Sequence, residues 1–240
     1  MASTPNNYGK LYMIPCPIAE GNPYDVLPEH NRAIMASLDY FIVENVRSAR
    51  RFLSAAKIGR PIEELTFVEC SEHTSAMEVE PLLAPLLKGA SGGIISEAGL
   101  PGVADPGADV VAAAQSRGIE VVPLVGPSSL MMALMASGQN GQSFAFNGYL
   151  PIKPAERSRA IKQFERRALS ERQSQIFIET PYRNEKLFAD LLLTLSPQTR
   201  LTVAVDITSP TQYIRTLRVE QWRNHPLPEM HKRPTIFIFG

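Results

Sequence analysis

The sequence predicts an α/β protein of two domains, and three observations carry that prediction. Through the first half, short apolar runs alternate with helical patterns, an order that calls for a mostly parallel sheet with flanking helices. From Phe144 onward, several strands follow one another through short links, which favours a mixed sheet with helices. Between Gly92 and Gly107 lies a loop rich in glycine and proline, where a buried strand ends and a helix begins. In an open α/β sheet, that is the usual place for a small ligand.

Taken in order, Leu11–Ile14 reads as a strand stopped by Pro15-Cys16-Pro17. Residues 28–38 have helical spacing, with Ile34, Met35 and Leu38 on one face. Tyr40–Val43 is a second strand, and 47–57 a helix that Gly59 closes as a C-cap. Residues 66–70 form a short strand that leads into the polar loop Ser71-Glu72-His73-Thr74. A helix over 77–87 is interrupted or started by Pro81 and Pro85. After Ile94-Ile95 and the loop, Asp105 reads as an N-cap with Pro106 at the first helical position. A helix over 108–117 ends at Gly118, and 119–125 is a strand.

Val125-Gly126-Pro127-Ser128-Ser129 repeats the same chemistry: a strand end, a glycine–proline turn, and hydroxyls that cap a helix over 130–137. Met131, Met132, Leu134 and Met135 make that helix rich in soft side chains, which favours core packing over a pocket for a flat ring. Strands are expected at 144–147, 174–179, 201–206, 212–217 and Thr235–Phe239, with helices at 154–170 and 184–195. A boundary near 123–127 divides an N-terminal α/β domain, 1–124, from a C-terminal α/β domain, 125–240.

Composition narrows the function classes. Lys plus Arg equals Asp plus Glu at 24 each, so no field of the whole chain recruits nucleic acid. Cys16 and Cys70 stand far apart, which argues for a reducing compartment and against a structural zinc site. No run of 18 apolar residues predicts a membrane span, and the polar stretch 1–9 lacks the apolar segment of a signal peptide. The expected location is cytoplasmic.

The chemistry of the loop is acidic. Across 89–152 the only basic residue is Arg117, whereas the loop itself carries Glu97 and Asp105. Phosphate-binding loops supply backbone N–H groups and often a lysine, and neither the Gly-x-Gly-x-x-Gly nor the Walker pattern is met here. A ligand with hydroxyls or a positive charge fits better than a polyphosphate. One stretch does carry excess positive charge: 153–172 holds seven basic residues against three acidic ones. It is either a solvated helix face or a surface for RNA phosphates.

Five segments, in order, resemble the tetrapyrrole methylase superfamily of S-adenosylmethionine (SAM) dependent methyltransferases. Within it, the chain is similar to the bacterial enzymes that methylate a cytidine 2′-hydroxyl of small-subunit ribosomal RNA. Cys16-Pro17-Ile18-Ala19 stands for the family's Thr-Pro-Ile-Gly. Ser96-Glu97-Ala98-Gly99-Leu100-Pro101, followed by Ala104-Asp105-Pro106-Gly107, stands for its Ser-Asp-Ala-Gly-Thr-Pro and Ser-Asp-Pro-Gly. Val125-Gly126-Pro127-Ser128 stands for Pro-Gly-Pro-Ser, and Asn147-Gly148-Tyr149-Leu150-Pro151 for Glu-Gly-Phe-Leu-Pro. Glu179-Thr180-Pro181-Tyr182-Arg183 stands for Glu-Ser-Pro-His-Arg.

The resemblance implies a two-domain tetrapyrrole-methylase-like fold, a homodimer, and SAM folded between two lobes. By position it assigns cofactor binding to Pro15, Glu97, Ala98, Gly99, Val103, Ser128, Ser129, Leu150, Glu179 and Pro234. Arg47 and Arg183 are candidates for gripping a substrate phosphate, or for ordinary salt bridges. A ribose hydroxyl must lose its proton on methylation, and Glu44, His73 and Glu179 are the candidate bases at predicted strand ends. Two departures stand out: Asn45 replaces an acid of the ribosomal RNA enzymes, and Tyr182 replaces a histidine. The implied activity is methyl transfer from SAM to ribosomal RNA. Methylation of a tetrapyrrole or another small molecule, or a SAM-binding module without catalysis, are the alternatives.

Overall fold

A five-stranded parallel sheet organises the first half of the chain in the computed structural model, which describes residues 7–71, 74 and 76–240. The strands are β1 (Leu11–Ile14), β2 (Tyr40–Val43), β3 (Thr66–Glu69), β4 (Gly92–Ile95) and β5 (Val121–Pro123), in the order β3-β2-β4-β1-β5. Every pairing in it is parallel. Helices α1 (Glu29–Ala36), α2 (Val46–Ala55), α3 (Ala76–Leu82), α4 (Ala84–Leu87) and α5 (Ala108–Ser116) make the crossovers.

The inner strands β1, β2 and β4 are almost wholly buried because both faces of the sheet are covered there, whereas edge strand β3 carries Thr66 and Glu69 exposed. Side chains alternate across the pleat, so Tyr40 and Ile42 join Leu11, Ile94, Leu83 and Val110 in one core. Phe41 and Val43 join Ile14, Met35, Leu53 and Ile95 in the other. Phe41, Ile42, Ile14 and Leu53 are wholly buried, each worth about 1.5–3 kcal/mol relative to exposure.

This first compact unit spans Met1–Ser128, and the second spans Ser129–Gly240. The second holds α6 (Ser129–Ser137), β6 (Phe144–Tyr149), α7 (Pro154–Glu171), β7 (Ser174–Ile178), α8 (Asn184–Thr194), β8 (Arg200–Val205), β9 (Tyr213–Arg218), α9 (Val219–Trp222) and β10 (Thr235–Phe239). Its sheet runs β6-β7-β10-β8-β9, parallel between β6 and β7 and antiparallel elsewhere. Phe177 stacks on Phe239 at 5.2 Å between centroids, and Trp222, 2% exposed, donates to Leu201 O at 2.8 Å.

Several sequence expectations need correction. Asp105 is not an N-cap and Pro106 is not the first helical residue: α5 begins at Ala108, with Gly107 as its N-cap at φ 119°. Pro106 O instead accepts from Gly102 N at 3.2 Å, closing a turn that delays the helix. The helix before Gly59 ends earlier, with Ala56 as C-cap and Lys57 taking the left-handed conformation at φ 47°. The proline-interrupted helix is two helices, α3 and α4. The last parallel strand keeps only three residues, because Ile119 N is spent on Ala114 O at the end of α5. On α6 the core face is Leu130, Ala133, Leu134 and Ser137, while Met131 and Met135 are exposed, so these methionines are not core filler. The short helix α9 and two 3-10 turns, Pro23–Asp25 and Ile62–Glu64, escape the sequence periodicity, being too brief to show one.

Candidate functional site

The carboxyl ends of β1, β2 and β4 bring three loops together. Cys16, just past β1, donates its N–H to Gly99 O at 2.8 Å, and Gly99 N returns a bond to Cys16 O at 3.1 Å. This two-bond bridge ties the first motif to the glycine loop. Gly99 sits at φ 70°, with no atom beyond its chain neighbours nearer than 3.5 Å to a Cβ placed there. The Cys16 thiol donates to Ser96 O at 3.3 Å, and burial pushes it up to about 12, with Asp105 and Glu44 adding to the shift. It is held as a neutral thiol.

Glu44 follows β2 and extends the ladder, its N–H donating to Ile95 O at 3.1 Å. Its carboxylate accepts from Glu97 N at 3.1 Å. Glu97 in turn accepts from the Ser48 hydroxyl at 3.0 Å. Asn45, the departure from the family's acid, accepts from Ser48 N at 3.0 Å and caps α2. Asn and Asp serve equally well in that role. Arg47 is exposed and has no ion-pair partner among the described residues.

Asp105 lies half-buried near these acids. Burial first, then the Glu44 charge, raises its carboxyl from 3.8 to about 6, with Glu97 adding to the shift and a hydrogen bond with Ser96 opposing it. Among the described residues, none of Glu44, Glu97 and Asp105 forms a salt bridge. The loop separates two cavities. One, of about 370 Å³, is lined by Cys16, Ile18, Ser48, Phe52, Glu97 and Ala98, among others. The other, of about 290 Å³, is lined by Cys70, Ser71, Thr74, Asp105 and Asp109, among others. Val103 is 45% exposed on the loop between them.

The second turn, before Ser128, is locked by close packing. A Cβ on Gly126 would fall 2.1 Å from Pro15 Cβ, so only glycine lets this backbone lie against Pro15. Buried Asn31 donates to Val125 O at 2.9 Å from the other side.

The remaining candidates lie in the second unit. Ser129 opens α6, and Leu150 is buried in the core. Glu179, 6% exposed, accepts from Thr180 N at 2.7 Å and from Arg183 Nε and Nη2 at 3.0 and 2.7 Å through Oε1. Its Oε2 is buried without a hydrogen-bond partner among the described residues. Arg183 is thus engaged in an ion pair. The Pro234 carbonyl accepts from Asp206 N at 2.9 Å. Tyr182, where the family has histidine, is 72% exposed. His73 lies outside the described residues.

The structure brings Glu44, Glu97, Ala98 and Gly99, all singled out from the sequence, to one sheet end, and adds the Ser48 hydroxyl and the burial of Asp105. Ser48 gives only a weak signal, a hydroxyl in the first turn of a helix after a strand end. Asp105 was visible as an acid, but its half-buried position beside Glu44 was not.

No family model matches the chain. Ribosomal RNA small subunit methyltransferase I of Vibrio cholerae serotype O1 is 32% identical over 213 residues, covering 89% of this chain and 70% of that protein. The chain belongs to this family. The protein of the same name from Escherichia coli O157:H7 is 30% identical over 212 residues, covering 88% and 70%. The solved structure of the methyltransferase CobJ superposes with a TM-score of 0.63 over 97% of this chain and 94% of that one, at 17% identity, a likeness of fold. As a member of the methyltransferase I family, the chain is a SAM-dependent methyltransferase.

The site's donor set fits that cofactor. SAM carries a sulfonium cation and no phosphate. The loops present three carboxylates, of which burial and then the charges of Glu44 and Glu97 raise Asp105, and none of the three forms a salt bridge among the described residues. Backbone groups and the Ser48 hydroxyl supply polar partners beside the larger cavity.

Proposed function

We propose that the chain transfers a methyl group from SAM to a ribose 2′-hydroxyl of ribosomal RNA of the small subunit. The observation that carries this reading is the bridge between Cys16 and Gly99 with Glu44 and Glu97 beside it, in a chain so similar to proteins named for that RNA. Bound SAM supplies an activated methyl group on sulfur. The chain's residues have three tasks: to hold the donor, to align the acceptor in line with it, and to exclude water.

Pro15, Glu97, Ala98, Gly99, Val103 and Ser128 are the proposed donor ligands in the first unit. Ser129, Leu150, Glu179 and Pro234 are those in the second. Glu44 is the proposed proton acceptor for the hydroxyl. One oxygen of its carboxylate is occupied by Glu97 N–H, which orients the other. Asp105, with its carboxyl near 6, is a neighbouring acceptor poised close to the working pH. Arg47 is exposed and suited to a substrate phosphate, whereas Arg183 holds Glu179. The assembly we propose is a homodimer, as the resemblance implies, and its location the cytoplasm, where ribosomal RNA is made.

The test compares two substrates. With labelled SAM, the protein is expected to label small-subunit ribosomal RNA and not a uroporphyrin-type ring. Label on the ring alone would replace this reading with the small-molecule one. A folded Gly99→Trp variant is expected to lose SAM binding; unchanged binding would move the donor elsewhere.

A further inference from the structure

The basic stretch noted in the sequence keeps its surplus of four positive charges at the surface once folded. Of the cations on α7 and its two ends, Arg157 turns inward: it is 2% exposed and pairs with Asp190 of α8 at 2.5 Å. Of the acids, Glu165 also turns inward, accepting from Ser196 N at 2.8 Å and from the Thr199 hydroxyl. The outer surface therefore keeps six cations against two acids, Glu156 and Glu171. Both acids are engaged, Glu156 with Lys153 at 3.2 Å and Glu171 with Arg167 at 3.5 Å.

What is left is ordered. Arg159, Lys162 and Arg166 are exposed and have no ion-pair partner among the described residues. Their spacing of three and four places them on one face of the helix. At a rise of 1.5 Å per residue the stripe spans about 10 Å. Arg172, also exposed, extends the positive charge past the helix end. On α8, which packs against α7, Asp190 is taken by Arg157, and Glu185 lies 3.9 Å from His231.

We infer that the stripe Arg159, Lys162 and Arg166 docks the phosphate backbone of ribosomal RNA. The inference rests on the RNA reading above and adds the surface that meets the substrate. The contact is with phosphates and carries no sequence information. It sets register and affinity, while the acceptor ribose is chosen elsewhere.

The test measures binding of purified, unmethylated small-subunit ribosomal RNA by the full chain across a salt series. The triple variant Arg159→Ala, Lys162→Ala, Arg166→Ala is expected to bind at least tenfold more weakly. The slope of log affinity against log salt should become shallower by about 2. SAM binding should be unchanged, which shows that the variant is folded. The conservative variant Arg159→Lys, Arg166→Lys should keep the salt slope. Lys153→Ala with Arg167→Ala, which removes the two ion-paired cations, should lose much less affinity. Wild-type affinity and slope in the triple variant would overturn the inference, as would an equal loss in the ion-paired control. Tighter binding to phosphatidylserine vesicles than to RNA would overturn it as well. Wild-type methyl transfer to the same RNA is followed in parallel. Its absence strikes the proposed reaction, whereas unchanged binding by the triple variant strikes the stripe alone.

Discussion

Glu97 donates its backbone N–H to the carboxylate of Glu44 at 3.1 Å, joining the loop after β4 to the end of β2. Two acids are thereby held side by side, and a third, Asp105, feels both. Like charges gathered without a salt-bridge partner cost stability, and a bound cation relieves that cost. The acidic loop that looked unsuited to phosphate in the sequence is, in the fold, suited to a sulfonium.

That arrangement predicts a pH dependence for SAM binding. Asp105 is raised to about 6, so it ionises between pH 5 and 7. The cation favours the ionised form, and affinity should therefore tighten as pH rises through 6, by about tenfold at most for one linked group. Calorimetric titrations at pH 5, 6 and 7 check this, and Asp105→Asn should flatten the trend. An affinity that is level or falls with pH would count against the placement.

The same shift has a consequence for stability with the sign worked through. A carboxyl raised in the folded state stabilises fully below its unfolded value near 3.8, and that contribution is lost as pH rises through about 6. Asp105→Asn should raise the melting temperature at pH 7.5, and the gain should shrink towards pH 4. Thermal melts at both values decide it.

Asn45 caps α2 through Ser48 N. Asn45→Ala should cost about 1 kcal/mol, while Asn45→Asp should be near neutral for stability. Urea unfolding of the two variants separates a capping residue from a merely exposed one. It also tests whether the missing family acid was needed structurally.

Gly126 lies too close to Pro15 for any side chain, with 2.1 Å left for a Cβ. Gly126→Ala should destabilise by about 1–3 kcal/mol through forced displacement of one loop against the other. Unfolding midpoints measure the loss, and SAM affinity should fall with it if Pro15 is the donor ligand proposed above.

Glu179 is held by Arg183, and its second oxygen is buried without a partner among the described residues. Arg183→Ala would strand that carboxylate and should cost about 3 kcal/mol. Adding Glu179→Gln should recover much of the loss, a double-mutant comparison read by denaturant unfolding.

Much of this was legible from the residues because the signals are local. The run Tyr40-Phe41-Ile42-Val43 has no polar break, and a strand buried on both faces needs none. Leu11–Ile14 and Thr235–Phe239 match their strands end to end for the same reason. Asp105 misled because Asp-Pro is good helix-start chemistry, and only the tertiary bond from Gly102 N to Pro106 O delays the helix to Ala108. Met131 and Met135 misled because helical spacing does not say which face is covered. Within the site, motif order brought out Glu97 and Gly99. The half-burial of Asp105 and the bond from Ser48 to Glu97 join residues from different loops, and no window of sequence contains them.

The most direct test supplies the wild-type chain with methyl-labelled SAM and unmethylated small-subunit ribosomal RNA, then digests the product to nucleosides. The label is expected in a 2′-O-methylated ribonucleoside, and transfer should fall by about 10²-fold or more in Glu44→Gln. Label confined to a base, or RNA left unlabelled while SAM is bound, would contradict the account.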